Sequence, residues 1–361
     1  MKKIYYITNM FPSETKKDNY GVFCKKVYDG LDDSELKISL FSAIKGKSFN
    51  KIYNLFRYFC FIFDIWFKII FCKSKFDAIY FQYVWLHVVC ALPFFNFLKK
   101  KNKKIIINFH GEDLLSFVNN PEKKIYKKIL LFSDLIIFPS EYYKNWLISK
   151  FDVSKEKLFV SASGGIDKSV FAYKKMNTLG NTIVFCSRFT EYKGWRDFID
   201  AINILIKKEI SCQAVMIGYG EDFQKILARI SELNLNDVIT VKTRLSHKEI
   251  ANIYKNSNLF LFTTTTTESL GLVALEAMSC GLPVIGTKIA ALPEYIHDGE
   301  NGFLVDTHSP EQLAKAVEKY FYFNTEEKER IITKALLTSE NYETRFVVNK
   351  LKERIKDVLY E

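Results

Sequence analysis

The chain has 361 residues, more than one hydrophobic core normally supports, so two domains are expected. Its 48% hydrophobic and 26% charged residues describe a globular protein and exclude a disordered one, and the lack of any run of eighteen apolar residues excludes a spanning helix. The net charge of +11 sits in one half: residues 1–175 carry 30 Lys and Arg against 16 Asp and Glu, and the remainder 22 against 25.

A basic half invites nucleic acid or an anionic membrane surface, although a lysine-rich surface from an AT-rich genome gives the same balance. Nucleic acid is not expected, because the sequence has no base-reading helix pattern, RNP motif or zinc-ligand spacing. The seven cysteines are scattered, odd in number and free of C-x-x-C pairs, which suits buried thiols in a reducing compartment. Met1-Lys2-Lys3 is followed by only four apolar residues before Thr8, too few for a secretory h-region, so a cytoplasmic location is expected.

In chain order, residues 3–7, 36–41, 77–82, 104–109, 135–138 and 157–160 are short runs of Ile, Val, Tyr and Phe. Helix-length segments separate them, near 20–31, 50–72, 85–101, 122–132 and 141–149. Near-continuous apolar strands alternating with helices predict a parallel sheet covered on both faces, with ligands beyond the carboxyl ends of its strands. That rule puts Thr8 to Gly21, His110 to Asp113 and Pro139-Ser140 on one rim. Segment 50–72 is unusually aromatic, and Arg57, Asp64 and Lys68 give it one charged face. The expectation is a helix turned into the core, with a membrane-interface helix as the alternative. Segment 85–104 repeats the theme, ending in Lys99, Lys100, Lys101, Lys103 and Lys104.

Ser163-Gly164-Gly165-Ile166-Asp167 follows the sixth strand, and residues 168–181 read as a linker. A second alternation follows, with strands near 182–186, 213–217, 238–241, 259–262 and 283–286. The helix after Gly194 shows a 3.6-residue stripe through Trp195, Phe198, Ile199, Ile202 and Leu205, as does the one from Glu221. Residues 311–361 read as charged helix.

Chemistry gathers in the second half. Arg188 and Lys193 precede the glycine-opened helix start at Gly194, where an anion is favoured, although such cations are commonly just solvated. Gly218-Tyr219-Gly220 follows the next strand, and Arg244-Leu245 sits in a later loop. From 259 the sequence runs LFLFTTTTTESLGLVALEAMSCGLPVIG: strand, five threonines, Glu268, a helix opened at Leu270-Gly271-Leu272, Glu276 within it, then another strand. Two carboxylates eight residues apart, flanking free N–H groups at a helix start, suit a ligand with hydroxyls at both ends and phosphate between. Read structurally, Glu268 would only complement the helix dipole and Glu276 would be solvated.

The block from Glu268 to Thr287 resembles the E-x7-E element of the retaining GT-B glycosyltransferases of family 4. Arg188 with Lys193-Gly194 is similar to that family's R-x4-K-G element, His110-Gly111-Glu112-Asp113 to its H-G-x-D element, and Gly21 to its diphosphate-loop glycine. The resemblance implies an α/β GT-B fold of two Rossmann-like domains with the active site in the cleft: residues 1–167 for the acceptor, 168–340 for the nucleotide sugar, and 341–361 as a helix crossing back. It implies His110 and Glu268 against the transferred sugar, and Arg188, Lys193 and the helix start at Leu270, Gly271 and Leu272 on the diphosphate. Glu276 falls on the ribose, and Gly218, Arg244 and Leu245 near the base. Transfer with retention from a nucleotide diphosphate sugar, a UDP-sugar foremost, to a glycan hydroxyl is the expected activity. The expected acceptor is carried on a polyprenyl diphosphate in bacterial surface polysaccharide or glycoconjugate synthesis, with peripheral contact to an anionic membrane. No cofactor is expected, and no metal, since no D-x-D pair occurs. The alternatives are a nucleotide-sugar epimerase of the same fold and a non-catalytic nucleotide-sugar-binding subunit.

Overall fold

A computed structural model describes residues 1–13, 20–46, 50–120, 123–174 and 180–361. The chain divides into one unit of residues 1–165 with 344–361, and a second of 166–343. Of the first rim loop, residues 14–19 lie outside the described residues, as do 175–179 of the linker and the side chain of Glu112.

In the first unit, six strands form one parallel sheet: β1 (Lys2–Phe11), β2 (Leu36–Lys45), β3 (Ala78–Gln82), β4 (Lys104–Asn108), β5 (Leu135–Phe138) and β6 (Leu158–Val160). Their order is β2-β1-β3-β4-β5-β6, so the chain reverses direction across the sheet between β1 and β3. β3, β5 and nearly all of β1 and β4 are buried, which is why these strands read as unbroken apolar runs. The final helix, Thr344–Tyr360, belongs to this unit. Leu351, Ile355, Val358 and Leu359 join the cluster of Ile4, Tyr6, Val27 and Leu31, while Lys356 reaches Asp33 at 2.9 Å and Glu35 at 2.8 Å.

The helix Lys51–Phe71 corrects the sequence expectation. Only Phe61, Ile65 and Ile69 are buried, and most of the aromatic residues face outward. The charged residues turn inward because β2 is an edge strand with unpaired carbonyls beside them. Arg57 donates to the carbonyls of Lys45 and Gly46, Lys68 donates to that of Phe41 at 2.8 Å, and Asp64 accepts from the Ser42 hydroxyl. Segment 85–101 also differs, forming the helix Leu86–Ala91, a 3-10 turn at Leu92–Phe94 and the helix Phe95–Lys100. The lysines from Lys99 to Lys104 are not a free cluster: Lys99 pairs with Asp134 at 2.6 Å, and Lys103 donates to the Phe76 carbonyl.

In the second unit, β7 (Thr182–Cys186), β8 (Gln213–Ile217), β9 (Ile239–Lys242), β10 (Leu259–Phe262), β11 (Val284–Thr287) and β12 (Gly302–Val305) form a second parallel sheet. The order β12-β11-β10-β7-β8-β9 makes β7 and β10 neighbours across the point where the chain reverses direction. Loops leaving that switch point line the usual ligand crevice of an open α/β sheet. Residues 166–171, expected at the domain junction and linker, are tied into this unit. Ile166 donates its N–H to Tyr342 O at 2.7 Å, and the Ser279 hydroxyl donates to Phe171 O at 2.6 Å.

Candidate functional site

The loops after β7 and β10 are stitched together at the switch point. Gly194 caps the helix Trp195–Lys207 at φ 69°, in the left-handed region, pressed against the backbone of Thr263. A Cβ there would lie within 2.6 Å of the Thr263 carbonyl carbon and overlap its oxygen. Only glycine meets both demands. The threonine run supplies the stitching: Thr263 Oγ1 donates to Gly194 O at 2.8 Å, and the Thr265 N–H to Tyr192 O at 2.9 Å. Thr287 Oγ1 donates to Thr264 O at 2.6 Å from the neighbouring strand. The start of the threonine run is therefore structural, and Thr263 and Thr264 are fully buried.

This stitching brings Lys193 and Glu268 together. Their side chains, 14% and 13% exposed, form an ion pair through Oε1, which also lies 3.2 Å from Thr264 Oγ1. Attraction between such poorly hydrated charges is several-fold that in water. Three residues on, Gly271 caps the helix Leu272–Ser279 at φ 81°. No side-chain oxygen caps that helix, so the first N–H groups are free of that competition at an end favoured by anions. Leu270 is buried, so any ligand contact from it runs through its backbone. Glu276 lies four residues beyond Leu272, on the same face of the helix.

Arg188 is exposed on the loop after β7. That loop is held to the turn after β8 by the N–H of Phe189 on Tyr219 O at 2.9 Å and that of Asp222 on Phe189 O at 3.0 Å. Gly218 and Gly220 leave no room for a Cβ against Ser187 O and Phe189 O, which keeps the two loops in contact. Trp195 Nε1 donates to Asp222 at 3.1 Å, fixing the same turn from the helix side. Arg244 is exposed at φ 56° with half-buried Leu245 beside it, just ahead of the helix His247–Tyr254 and its Ser246–Glu249 capping box.

In the first unit, the rim at the ends of β3, β4 and β6 carries a second constellation. His110 is 5% exposed, and its Nε2 accepts from the Gln82 amide at 2.7 Å. That leaves the ring proton on Nδ1, which donates to Ser163 Oγ at 3.0 Å. Burial holds the imidazole down to about 3, hence neutral. Phe23 packs 4.7 Å from the ring. Asp113 accepts the N–H groups of Val84, His110, Gly111 and Leu114, yet burial still pushes its carboxyl up to about 6. Gly21, at φ 70°, closes against Met10 and Phe11 at the end of β1. Of this set, Ser163 and Gln82 escaped sequence reasoning as partners of His110. Their signal was only their position at strand ends. Among the described residues, no group of three or more His, Cys, Asp and Glu could hold a metal ion.

Two families match this chain. Residues 20–167 match Glycosyltransferase Family 4, and residues 170–337 match Glycosyl transferases group 1. Each match covers somewhat less than half of the chain, and together they pair the two kinds of domain found in GT-B glycosyltransferases, in keeping with the two parallel sheets. A relative is the D-inositol 3-phosphate glycosyltransferase of Paenarthrobacter aurescens (strain TC1), 31% identical over 48% of this chain and 46% of that protein. Another is the amylovoran biosynthesis glycosyltransferase of Erwinia amylovora, 24% identical over 73% of this chain and 65% of its own. The chain thus covers about half to two thirds of the length of these curated relatives. Anabaena HepE, solved with UDP-glucose, shares the fold at a TM-score of 0.75 and 16% identity, covering 99% of this chain and all of that one.

Proposed function

We propose that this protein transfers a sugar, with retention of configuration, from a UDP-sugar to a hydroxyl of a glycan acceptor. The observation that carries the reading is the Lys193–Glu268 pair, held beside the glycine-capped helix start on the switch-point loops. A cation, a carboxylate and free N–H groups in that order suit a diphosphate joined to a sugar. Lys193, Arg188 and the N–H groups around Leu270, Gly271 and Leu272 take the charge on the diphosphate. Glu268 holds sugar hydroxyls with His110 against the sugar, Glu276 holds the ribose, and Gly21 passes close to the phosphates. Gly218, Arg244 and Leu245 line the base.

Neutral His110, with its ring nitrogens bonded to Gln82 and Ser163, is a poor proton acceptor, so the proton goes elsewhere. The acceptor oxygen bonds to the anomeric carbon as its bond to the diphosphate breaks. The acceptor's proton passes to the departing phosphate oxygen, on the same face of the sugar. No metal or other cofactor is required in this scheme.

A relative named for amylovoran biosynthesis and a structural neighbour solved with UDP-glucose support polysaccharide synthesis from a UDP-sugar. The acceptor in this reading is a polyprenyl-diphosphate-linked glycan on the cytoplasmic face of an anionic membrane, where the protein acts peripherally. The test is a panel of nucleotide sugars screened by thermal shift, then product analysis with the best donor. Stabilisation by one UDP-sugar and an α-configured product from an α-linked donor are expected. No shift with any nucleotide sugar overturns the proposal.

A further inference from the structure

The helix Lys51–Phe71 presents an outward arc that nothing in its unit covers. Ile52, Tyr53, Leu55, Phe56, Phe59, Cys60, Phe63, Trp66, Phe67, Ile70 and Phe71 are all exposed, Phe59 by 70% and Phe63 by 62%. They recur at three- and four-residue intervals and form one stripe along the helix. None is charged. With aromatic side chains of roughly 200 Å² each, the stripe exposes on the order of 1,000 Å². That exceeds the largest apolar patch of an ordinary monomer and is enough for a docking surface. Among the described residues, no helix is long and apolar enough to cross a membrane.

We propose that this stripe seats the protein on an anionic lipid bilayer, with the helix lying in the interface. The inference rests on the membrane-associated reading given above and names the surface responsible. Area alone would also allow a second copy of the chain, so the surrounding charge decides. Residues 50–104 hold ten Lys and Arg against two Asp, and both acids are engaged: Asp64 with Ser42 and Lys68, Asp77 with the backbone N–H of Lys3. Of the cations, Arg57, Lys68, Lys99 and Lys103 are bonded within the unit. Lys51 lies at one end of the stripe, and Lys73 and Lys75 at the other, with Lys73 over the ring of Phe97 at 5.1 Å. Pairing two copies of the helix in either direction brings lysines to lysines. Anionic headgroups complement those lysines while acyl chains take the aromatic residues. Apolar insertion then holds the protein more than the lysines at the end of the helix Phe95–Lys100, since Lys99 and Lys103 are bonded within the unit.

The test is co-sedimentation of the full chain with vesicles of phosphatidylcholine, with and without phosphatidylglycerol, at low and high salt. Expected are preference for phosphatidylglycerol, binding that survives high salt in part, and a loss of about tenfold or more in a Phe59→Glu, Phe63→Glu variant. A milder Phe59→Ser, Phe63→Ser variant guards against a folding effect, and unchanged UDP binding in both confirms an intact donor site. Equal binding of wild type and the folded variants overturns the inference, as does failure to bind anionic vesicles at low salt. A lipid-free dimer that the variants dissociate also overturns it, in favour of a second copy. UDP binding without vesicle binding would sink this inference alone, whereas vesicle binding without nucleotide binding would sink the transferase reading alone.

Discussion

Gly194→Ala probes the stitching directly, because its cost can be separated into two parts. An alanine at φ 69° pays about 1–2 kcal/mol for the left-handed conformation. Its Cβ also overlaps the Thr263 carbonyl, and no side-chain rotation relieves a clash with backbone. The loop carrying Lys193 must therefore move away from the strand end that positions Glu268. Core-type clashes of this kind add about 1–3 kcal/mol. Misplacing catalytic groups by about 1 Å costs on the order of 100-fold in rate, equivalent to about 2.7 kcal/mol. Gly299→Ala is the control: φ is 74°, but nothing lies within 4 Å of the added Cβ. It meets the conformational cost alone and keeps full activity. Urea denaturation of both variants, with kcat/KM on the best UDP-sugar, reads the difference. Equal stability losses in the two variants, or wild-type turnover in Gly194→Ala, would refute the argument.

Because burial depresses the His110 pKa to about 3, the folded protein keeps the ring neutral where an unfolded chain would protonate it. Its stability contribution is complete above the unfolded value near 6.5 and falls as pH drops toward 3, by about 1.4 kcal/mol per unit. His87, depressed to about 3 by burial as well, adds a similar slope. Asp113, pushed up to about 6, takes up a proton in the folded state and offsets part of the loss, so His110→Gln should reduce the loss of stability between pH 7 and pH 5 by at least half. An unchanged slope in denaturation at pH 7 and pH 5 would contradict the burial argument. Transfer should also survive exhaustive EDTA treatment; loss restored by Mg2+ or Mn2+ would show that Arg188 and Lys193 do not suffice.

Much of the fold was legible because both sheets are parallel and buried, so their strands appear as apolar runs with helical stripes between them. The sixth strand of the second sheet, Gly302–Val305, escaped notice because it is four residues long and begins with glycine. The helix Lys51–Phe71 misled for a clearer reason. Its charged residues serve the edge strand's carbonyls, which only the tertiary pairing reveals, so the usual inside-out rule fails there. In the candidate site, Lys193, Glu268 and Gly271 stood out through spacing around a helix start. Gln82, Ser163 and Thr263 did not, since each meets its partner from a different strand end.

Calorimetric titration of UDP into the wild type, Lys193→Met and Glu268→Gln tests the donor site most directly. Lys193 is shared between Glu268 and the proposed diphosphate, so the two variants should move in opposite directions. Lys193→Met should weaken UDP by about tenfold or more, a loss of about 1.4 kcal/mol. Glu268→Gln should bind UDP, which lacks the sugar, at least as tightly as the wild type. UDP affinity unchanged in Lys193→Met would contradict the account.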